Sequence, residues 1–397
     1  MADPVQSQSP SASPRRNVSV LGVVSFINDT SSKIILPLLP LFIQQLGGGG
    51  LAVGVISGVS DSIASLFNVL SGYWTDRQGR RRGLVASGYL VSATAKLLLA
   101  FATLWPHVLV LRMAERLGKG VRSAPRDALL ASATEGGRRG RGFGIHRALD
   151  SGGSVLGTLL AFWLFWYLGL AFTEIFVIAG LIGFLSVLPL IWVREPPRPP
   201  QQETYRFSFR RLSPTLKRFI FVVFLFALAN FSYMFFVLAS QGALQERLGT
   251  AVPILLYALY NLVYTVFAIP SGMLADRFGR RNVVLSGYGL FALVCLGFMV
   301  AESLPVFLLL FVLYGLNYAL VNANERAMIA DLAEPQSRGL ALGSYHMAVS
   351  LAALPAGLIA GLLWDRSATY TFLFGTALAT FAMVLLSKLI PAREITS

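Results

Sequence analysis

Cysteine is nearly absent from this chain of 397 residues, which contains only Cys295. A single cysteine excludes an intramolecular disulfide and any site that needs several thiolate ligands. Histidine is also scarce, with three residues in the whole chain. Because structural zinc sites are built from cysteine and histidine, the sequence predicts that the protein holds no metal.

Charged residues are the second scarcity. They make up 13% of the chain, whereas 55% is apolar, and a soluble domain carries about 25% charged residues. The formal net charge is nevertheless +14, a value that nucleic-acid binders also reach. Here most lysines and arginines lie in short loops between apolar runs, a pattern that orients membrane helices and suits anionic lipid headgroups. The basic loops also lack interleaved aromatic residues, so the sequence predicts a lipid bilayer as partner and no nucleic acid.

Catalytic motifs are missing as well. No G-x-x-x-x-G-K-[ST] loop for nucleotide phosphates occurs, which argues against an ATP-driven pump. Neither a zinc-binding His-x-x-x-His pair nor a Ser/His/Asp set in one soluble domain is found. We therefore expect no enzyme activity and no bound cofactor.

Long apolar runs are what the chain has instead. A helix needs about 20 apolar residues to cross a bilayer, and twelve such runs lie between residues 18 and 391. None shows strand-like alternation, so we predict an all-α membrane protein of twelve transmembrane helices. The first run contains Asp29 and Lys33 and exceeds the core of a signal peptide, which indicates a retained helix.

The polar segments between these runs predict the domain organisation. A Ser- and Pro-rich disordered tail would span residues 1–17, and a basic, proline-rich linker residues 194–217. Six-helix bundles would occupy 18–193 and 218–391, followed by a short tail at 392–397.

The arginine-rich loops all fall on one side of the predicted membrane. The opposite loops (46–51, 105–107 and 169–173) carry almost no lysine or arginine. Because loops rich in lysine and arginine stay in the cytosol, we predict a multi-pass protein of a bacterial-type cytoplasmic (inner) membrane with both termini in the cytosol.

The two predicted halves share a repeated loop motif, G-x-x-x-D-R-x-G-R-R. The first copy contains Gly72, Asp76, Arg77, Gly79 and Arg80. The second lies 200 residues further on and contains Gly272, Asp276, Arg277, Gly279 and Arg280. Repeats in the same order indicate two halves related by an axis along the membrane normal.

At this point the sequence resembles the major facilitator superfamily of secondary transporters. The doubled motif stands where that superfamily has its loop motif, Pro37 and Pro40 resemble its paired prolines in helix 1, and Arg116 belongs to a segment similar to its helix 4 arginine motif. Gly144, Gly153 and Gly157 match the helix 5 glycine motif of its exporters and antiporters, although Thr158 replaces the usual proline. The resemblance implies two pseudo-symmetric bundles, alternating access, a monomer and similarity to the drug/proton antiporter branch.

The loop motif permits two interpretations. Its aspartate would be favoured by a helix dipole and would pair with nearby arginines, while its glycines would allow close approach and a tight turn. Such a cluster would either act as a gate between the halves or only set the topology of the loop.

Charged residues inside the apolar runs are the candidates for a transport path, because mid-membrane charges are costly and face a cavity or a partner. Helix 4 carries seven, from Arg112 to Asp127, within an arc of roughly 140°. They either line a central cavity that attracts an anionic substrate or form structural ion pairs. The candidates for the proton and substrate path are Asp29, Lys33, Asp61, Glu115, Arg116, Lys119, Arg122, Asp150, Asn230, Tyr233, Asn322 and Glu325.

Asp29 is the first candidate for a proton carrier. Burial and nearby cations act in opposite directions on the proton affinity of a carboxyl group, so opening and closing of the site would load and release a proton. The alternative is a static ion pair with Lys33, four residues away on the same helix face.

We therefore expect a transporter that couples the export of a small organic molecule, drug-like or anionic, to a proton gradient. Two alternatives stay open. One is uptake or exchange of an anionic metabolite or a metal chelate, and the other is a transporter-like sensor without flux.

Overall fold

The computed structural model of the chain describes residues 13–78, 81–133, 139–193, 195, 212–242, 246–334 and 337–390. These residues form helices and turns without a strand, which confirms the predicted all-α class. A 3-10 helix, Leu188–Trp192, follows α7. The α-helices in chain order are α1 Ser13–Ile35, α2 Leu39–Gln45, α3 Gly50–Gln78, α4 Arg81–Leu99, α5 Trp105–Ser132, α6 Arg139–Trp166, α7 Phe172–Leu185, α8 Pro214–Ala229, α9 Tyr233–Gly242, α10 Glu246–Phe278, α11 Arg280–Val300, α12 Leu304–Leu332, α13 Arg338–Trp364 and α14 Ala368–Leu389.

The described residues contain ten helical segments that are long and apolar enough to cross a membrane. Three of these segments each combine two consecutive helices, namely α1 with α2, α7 with the 3-10 helix, and α8 with α9. Helices α4 and α5 are not among the ten, and α5 carries the seven charged residues of the predicted stripe. The multi-pass architecture is confirmed, whereas the number of twelve spans stays a prediction.

Two helices begin earlier than the predicted domain boundaries. Helix α1 begins at Ser13, inside the segment predicted as a tail, because an apolar run marks only the part of a helix that lies in hydrocarbon. Helix α8 begins at Pro214, inside the predicted linker. The Oγ of Ser213 caps it by accepting from the N–H of Leu216 at 3.3 Å, a start signal that Ser-Pro provides in the sequence.

The first membrane segment of each half is broken part of the way along it, and the two breaks meet. Pro40 has no N–H, so the carbonyl of Leu36 lacks the helical donor four residues on. The hydroxyl of Tyr233 donates to that carbonyl at 2.9 Å from the start of α9. A side chain of the second half thus satisfies the backbone group that the break in the first half leaves open, as irregular backbone at membrane depth requires.

The chain packs as two bundles, α1–α7 and α8–α14, that meet mainly through α3 with α13 and α6 with α10. In the repeat, α3 corresponds to α10 and α6 to α13. The two interfaces are therefore equivalent under an exchange of the halves, in agreement with the same-order repeat found in the sequence.

Helices α3 and α13 touch through glycine, and we call the end of the molecule where they meet the closed side. A Cβ at Gly54 would overlap the carbonyl of Gly357, and a Cβ at Gly50 would overlap the side chain of Trp364. The carboxylate of Asp365 accepts from the N–H of Gly50 at 2.5 Å and from that of Leu51 at 3.0 Å. The other end, where α3 and α10 run to the repeated motif, is called the motif side.

Candidate functional site

A cavity of about 700 Å³ lies between the two bundles. Its lining continues toward the motif side, where it includes Asn68, Ser123 and Arg326, while the α3–α13 contact limits it on the closed side. Six cations line it, namely Lys33, Arg112, Arg116, Lys119, Arg147 and Arg326. Three acids line it, namely Asp29, Asp61 and Asp150. The cavity is polar and carries more positive than negative side chains.

Most of the residues predicted for a transport path reach this cavity. Those that line it are Asp29, Lys33, Asp61, Arg116, Lys119, Asp150, Asn230, Tyr233 and Asn322. The structure thus brings together residues from six helices and from the α8–α9 connection that lie up to 293 positions apart in the sequence.

Glu115, Arg122 and Glu325 are buried outside the cavity. Glu115 forms an ion pair with Arg112 one turn away, and the guanidinium of Arg122 lies 4.3 Å from the centre of a tyrosine ring on α4. Glu325 accepts hydrogen bonds from Tyr288 at 2.7 Å and Tyr345 at 3.0 Å. All three are held by residues of their own half, so the structure assigns them packing contacts and no place on the cavity wall.

The three cations of α5 that face the cavity differ in whether an acid pairs with them. Arg112 is neutralised by its ion pair with Glu115. Arg116 and Lys119 are three residues apart and share a helix face. No ion-pair partner lies within 4.0 Å of either in the part of the chain that the structure describes, and the buried Nε of Arg116 has no hydrogen-bond partner there. Two adjacent cations are therefore free to attract an anion.

Lys33 of α1 bridges the halves. Its Nζ donates to the hydroxyl of Tyr257 at 3.2 Å and to Oδ1 of Asn261 at 3.0 Å, both on α10. The static Asp29–Lys33 ion pair that the sequence offered as an alternative is not formed among the described residues. Lys33 instead links α1 to the opposite wall of the cavity.

Asp29 contacts a second acid. Its carboxyl group lies close enough to that of Asp150 on α6 to interact with it, and two such groups repel each other unless one of them holds a proton. Asn28 donates to Asp29 Oδ1 at 3.1 Å, and Arg147 pairs with Asp150 at 3.4 Å. The cavity wall thus contains a carboxyl pair that can exchange a proton with water.

The second half contributes an aromatic wall that the sequence interpretation missed apart from Tyr233. Adjacent ring centres are 4.7 Å apart for Tyr233 and Tyr257, and 4.7 Å apart for the stacked rings of Tyr260 and Tyr314. We call the six cavity-lining tyrosines the tyrosine wall: Tyr233, Tyr257, Tyr260, Tyr264, Tyr314 and Tyr318. The spacing of three and four residues among the tyrosines of α10 was the signal that could have revealed it.

The second copy of the loop motif forms a turn and contacts within its own half. Gly279 has a φ of +84°, a conformation that favours glycine, whereas a Cβ at Gly272 would meet no atom within 4 Å. Arg280 pairs with Asp331 on α12, and its contact with Asp276 is 4.0 Å. The guanidinium of Arg277 lies 5.3 Å from the ring centre of the neighbouring phenylalanine. Among the residues that the structure describes, these contacts of the motif stay within the second bundle.

In the first copy, Gly79 and Arg80 lie outside the described residues. The side chains of Asp76 and Arg77 and the surroundings of Gly72 are not described either. A gating role for that copy stays a prediction.

The predicted glycine motif of α6 packs against α1 at two of its three positions. A Cβ at Gly153 would overlap the carbonyl of Phe26, and a Cβ at Gly157 would overlap that of Thr30. Gly144 has no neighbour within 4 Å of its Cβ position. The two close contacts hold α1 and α6, which carry Asp29 and Asp150, at a short separation.

Comparisons with known proteins agree on one family. The family model described as Major Facilitator Superfamily matches residues 21–256 and 221–397. An uncharacterised MFS-type transporter of Methanocaldococcus jannaschii is 42% identical over 375 residues, which are 94% of each chain. The multidrug resistance protein MdtH of Aeromonas hydrophila is 26% identical, over 84% of this chain and 83% of that protein. A variant of the nucleoside transporter NupG shares the fold at a TM-score of 0.80 with 15% identity, over 94% of this chain and 100% of its own. The chain therefore belongs to the Major Facilitator Superfamily of membrane transporters.

Proposed function

We propose that this protein is a proton-coupled exporter of a small organic molecule, drug-like or anionic, and that it works by alternating access. The substrate would bind in the central cavity, and a proton gradient would supply the energy. The transporter would lie in the cytoplasmic membrane as a monomer, with the motif side and both termini in the cytosol, because the basic loops flank that side.

The observation that carries the proposal is the carboxyl pair of Asp29 and Asp150 in the cavity wall. Two carboxyl groups in contact repel each other when both are ionised, so they hold one proton between them in this conformation. When the cavity closes on the motif side and opens on the other, α1 and α6 exchange their neighbours across the cavity. That exchange would release the proton and complete one transport cycle.

The direction of transport is supported by two observations. Gly153 and Gly157, which match the glycine motif of exporters and antiporters, pack closely on α1. MdtH, a multidrug resistance protein, is similar over most of both chains. The lining of the cavity by six cations equally suits uptake or exchange of an anionic metabolite, which is the second candidate.

Flux into proteoliposomes with an imposed pH gradient separates the candidates. The membrane potential is clamped with potassium and valinomycin, and 2-naphthalenesulfonate serves as a permanently anionic probe, with ethidium as a cationic comparison. Antiport predicts that an acidic interior drives the transported probe inward, since protons leave as it enters. Accumulation driven by an alkaline interior would instead indicate proton symport and refute the export proposal.

The variants Asp29→Asn and Asp150→Asn test the coupling site. Each should abolish accumulation driven by the pH gradient, while exchange of labelled for unlabelled probe continues. The matched control is Asp127→Asn, because that side chain is 52% exposed and does not line the cavity. Gradient-driven accumulation at the parent rate in both cavity variants would exclude the carboxyl pair as the proton carrier.

A further inference from the structure

The two halves line the cavity with different chemistry. The first half contributes five of the six cations, the three acids and serines such as Ser60 and Ser154. The second half contributes the whole tyrosine wall, together with the amides of Asn230, Asn261 and Asn322. We propose that the substrate is an aromatic monoanion whose acidic group binds at Arg116 and Lys119 and whose ring lies on the tyrosine wall. This inference rests on the proposed function in that it names the substrate class of the same cavity.

The anion subsite follows from which cations are already satisfied. Lys33 donates to two groups of α10, and Arg147 pairs with an acid and donates to Tyr264 at 3.1 Å. The charge of Arg112 is paired with Glu115, although its Nε is also without a hydrogen-bond partner among the described residues. Among the α5 cations that reach the cavity, this leaves Arg116 and Lys119 without an ion-pair partner.

A hydroxyl of the same cavity is also unsatisfied. The Oγ of Ser60 on α3 is buried, with 2% of the residue exposed, and has no hydrogen-bond partner in the described part of the chain. Ser60 lines the same cavity as Arg116, whose buried Nε is likewise without a partner. Buried donors without acceptors are costly, so both favour a ligand that brings acceptor oxygens into this cavity.

The acids of the cavity do not neutralise the positive charge of this subsite. Asp61 exerts a Coulombic effect on Arg116 but forms no ion pair with it within 4.0 Å. Asp29 and Asp150, which hold one proton between them, keep one negative charge; it acts on Lys119 but is offset by the ion pair of Asp150 with Arg147. Asp61 then opposes the two charges of Arg116 and Lys119, which leaves a net attraction for a single negative charge.

The ring subsite lies next to the anion subsite. Tyr233 and Tyr257 are close enough to Arg116 to interact with its charge, so the tyrosine wall begins beside the cations. From there it continues through Tyr260 to Tyr314 and Tyr318, with ring centres 4.7 Å and 5.8 Å from that of Tyr260. Aromatic faces stack on planar rings, and the phenol hydroxyls tolerate polar ring substituents.

Binding to the purified protein in lipid nanodiscs tests this class with three probes of similar apolar size. The probes are 2-naphthalenesulfonate, the neutral 2-naphthalenesulfonamide, and 1-octanesulfonate, which keeps the charge but has no ring. We expect 2-naphthalenesulfonate to bind about 10- to 100-fold more tightly than the sulfonamide, since a charged hydrogen bond is lost. It should also bind more tightly than 1-octanesulfonate. Equal affinity for the sulfonate and the sulfonamide would overturn the inference.

Variants then locate the subsites. Arg116→Gln should remove the preference for the sulfonate over the sulfonamide, and Arg116→Lys should restore part of it. Tyr318→Leu should remove the preference for the ring over the octyl chain. The matched control is Arg326→Gln, a cavity cation on α12 whose Nε already donates to the Asn322 carbonyl at 3.0 Å. If Arg326→Gln weakens sulfonate binding as much as Arg116→Gln, a diffuse positive field explains the binding and the subsite is refuted.

Failure of this inference can be told apart from failure of the proposed function. Sulfonate binding with these preferences but without proton-driven flux would support the substrate class and refute the transport proposal. Proton-driven flux of ethidium without binding of 2-naphthalenesulfonate would refute the substrate class alone.

Discussion

Asp365 joins the two halves on the closed side, and its removal should open that side. Its carboxylate caps the start of α3 from the other bundle by accepting from the N–H groups of Gly50 and Leu51. Asp365 itself stands at the end of α13, where the dipole of that helix disfavours an anion. The stabilising effect of the carboxylate therefore comes from α3, and it exists only while the two halves touch.

The size of the effect follows from the geometry of a helix cap. Replacing a capping aspartate by alanine costs about 0.5–2 kcal/mol, and the charge at an exposed helix start contributes about 0.3–1 kcal/mol of this. Asp365 is exposed, so we expect about 1 kcal/mol for Asp365→Ala, which shifts the equilibrium between conformations roughly fivefold. Asp365→Asn keeps an acceptor oxygen and should shift it no more than about twofold.

Distances between spin labels on the closed side measure this shift. Gln45 at the end of α2 and Tyr370 near the start of α14 are exposed and belong to different halves. The native Cys295 is fully buried, so it does not compete for the label. Double electron–electron resonance should show a larger long-distance population in Asp365→Ala than in the parent, with Asp365→Asn in between.

The reasoning fails if Asp365→Ala leaves the distance distribution unchanged. It also fails if Asp365→Asn opens the closed side as far as Asp365→Ala does, because the acceptor oxygen would then contribute nothing. A loss of folded protein is detected separately by gel filtration and does not change the measured distances in the remaining monomer.

Three further substitutions have defined outcomes. In Gly54→Leu the side chain would overlap the Gly357 carbonyl, so we expect the initial rate of probe flux to fall roughly tenfold; a parent-like rate would show that the α3–α13 contact is dispensable. Glu325→Gln should leave 2-naphthalenesulfonate affinity within about twofold, because this residue lies outside the cavity, the amide oxygen still accepts from one tyrosine, and its NH2 group can donate to the other hydroxyl; lost binding would place it on the path. Arg280→Ala removes a partly exposed ion pair with Asp331, so the free energy of unfolding should fall by at most about 1 kcal/mol in thermal unfolding. A larger fall would contradict the expectation that this exposed pair contributes little to stability.

The sequence predicts the architecture well because lipid imposes simple rules. Apolar length identifies the membrane helices, and the motif repeated from Gly72 to Gly272 reveals two related halves. The breaks in the first and seventh predicted spans were not predicted. The break after Leu36 depends on a hydroxyl donated by Tyr233 of the other half, and a contact between distant segments leaves no periodic trace in either of them.

The charged stripe of α5 shows where helical periodicity stops being informative. An arc of roughly 140° is wide enough for its two edges to face different neighbours. Arg112, Arg116 and Lys119 face the cavity, whereas Arg122 lies on the ring of Tyr89 on α4. Periodicity determines which residues share a helix face, but the packing of the adjacent helices determines which part of that face lines the cavity.

Each half has a charged residue at an equivalent position near the motif side. Arg126 and Glu325 occupy these positions, 199 residues apart, and carry opposite charges. Arg126 contacts the adjacent Asp127 at 3.0 Å and Ser25 at 3.4 Å. Glu325 accepts from the hydroxyl of Tyr288, which corresponds to Tyr89 at the same offset.

Neutralising each charge inside its own bundle has a mechanical consequence. An ion pair between the bundles at this depth would have to be broken in every transport cycle and its charges desolvated again when it re-formed, at a cost of several kcal/mol. Hydrogen bonds within a bundle move with it as a rigid body and are kept throughout. The contacts between the halves are then left to groups such as Lys33, Ser62 and Asp365, which hold neutral oxygens or backbone N–H groups that water can replace when the bundles separate.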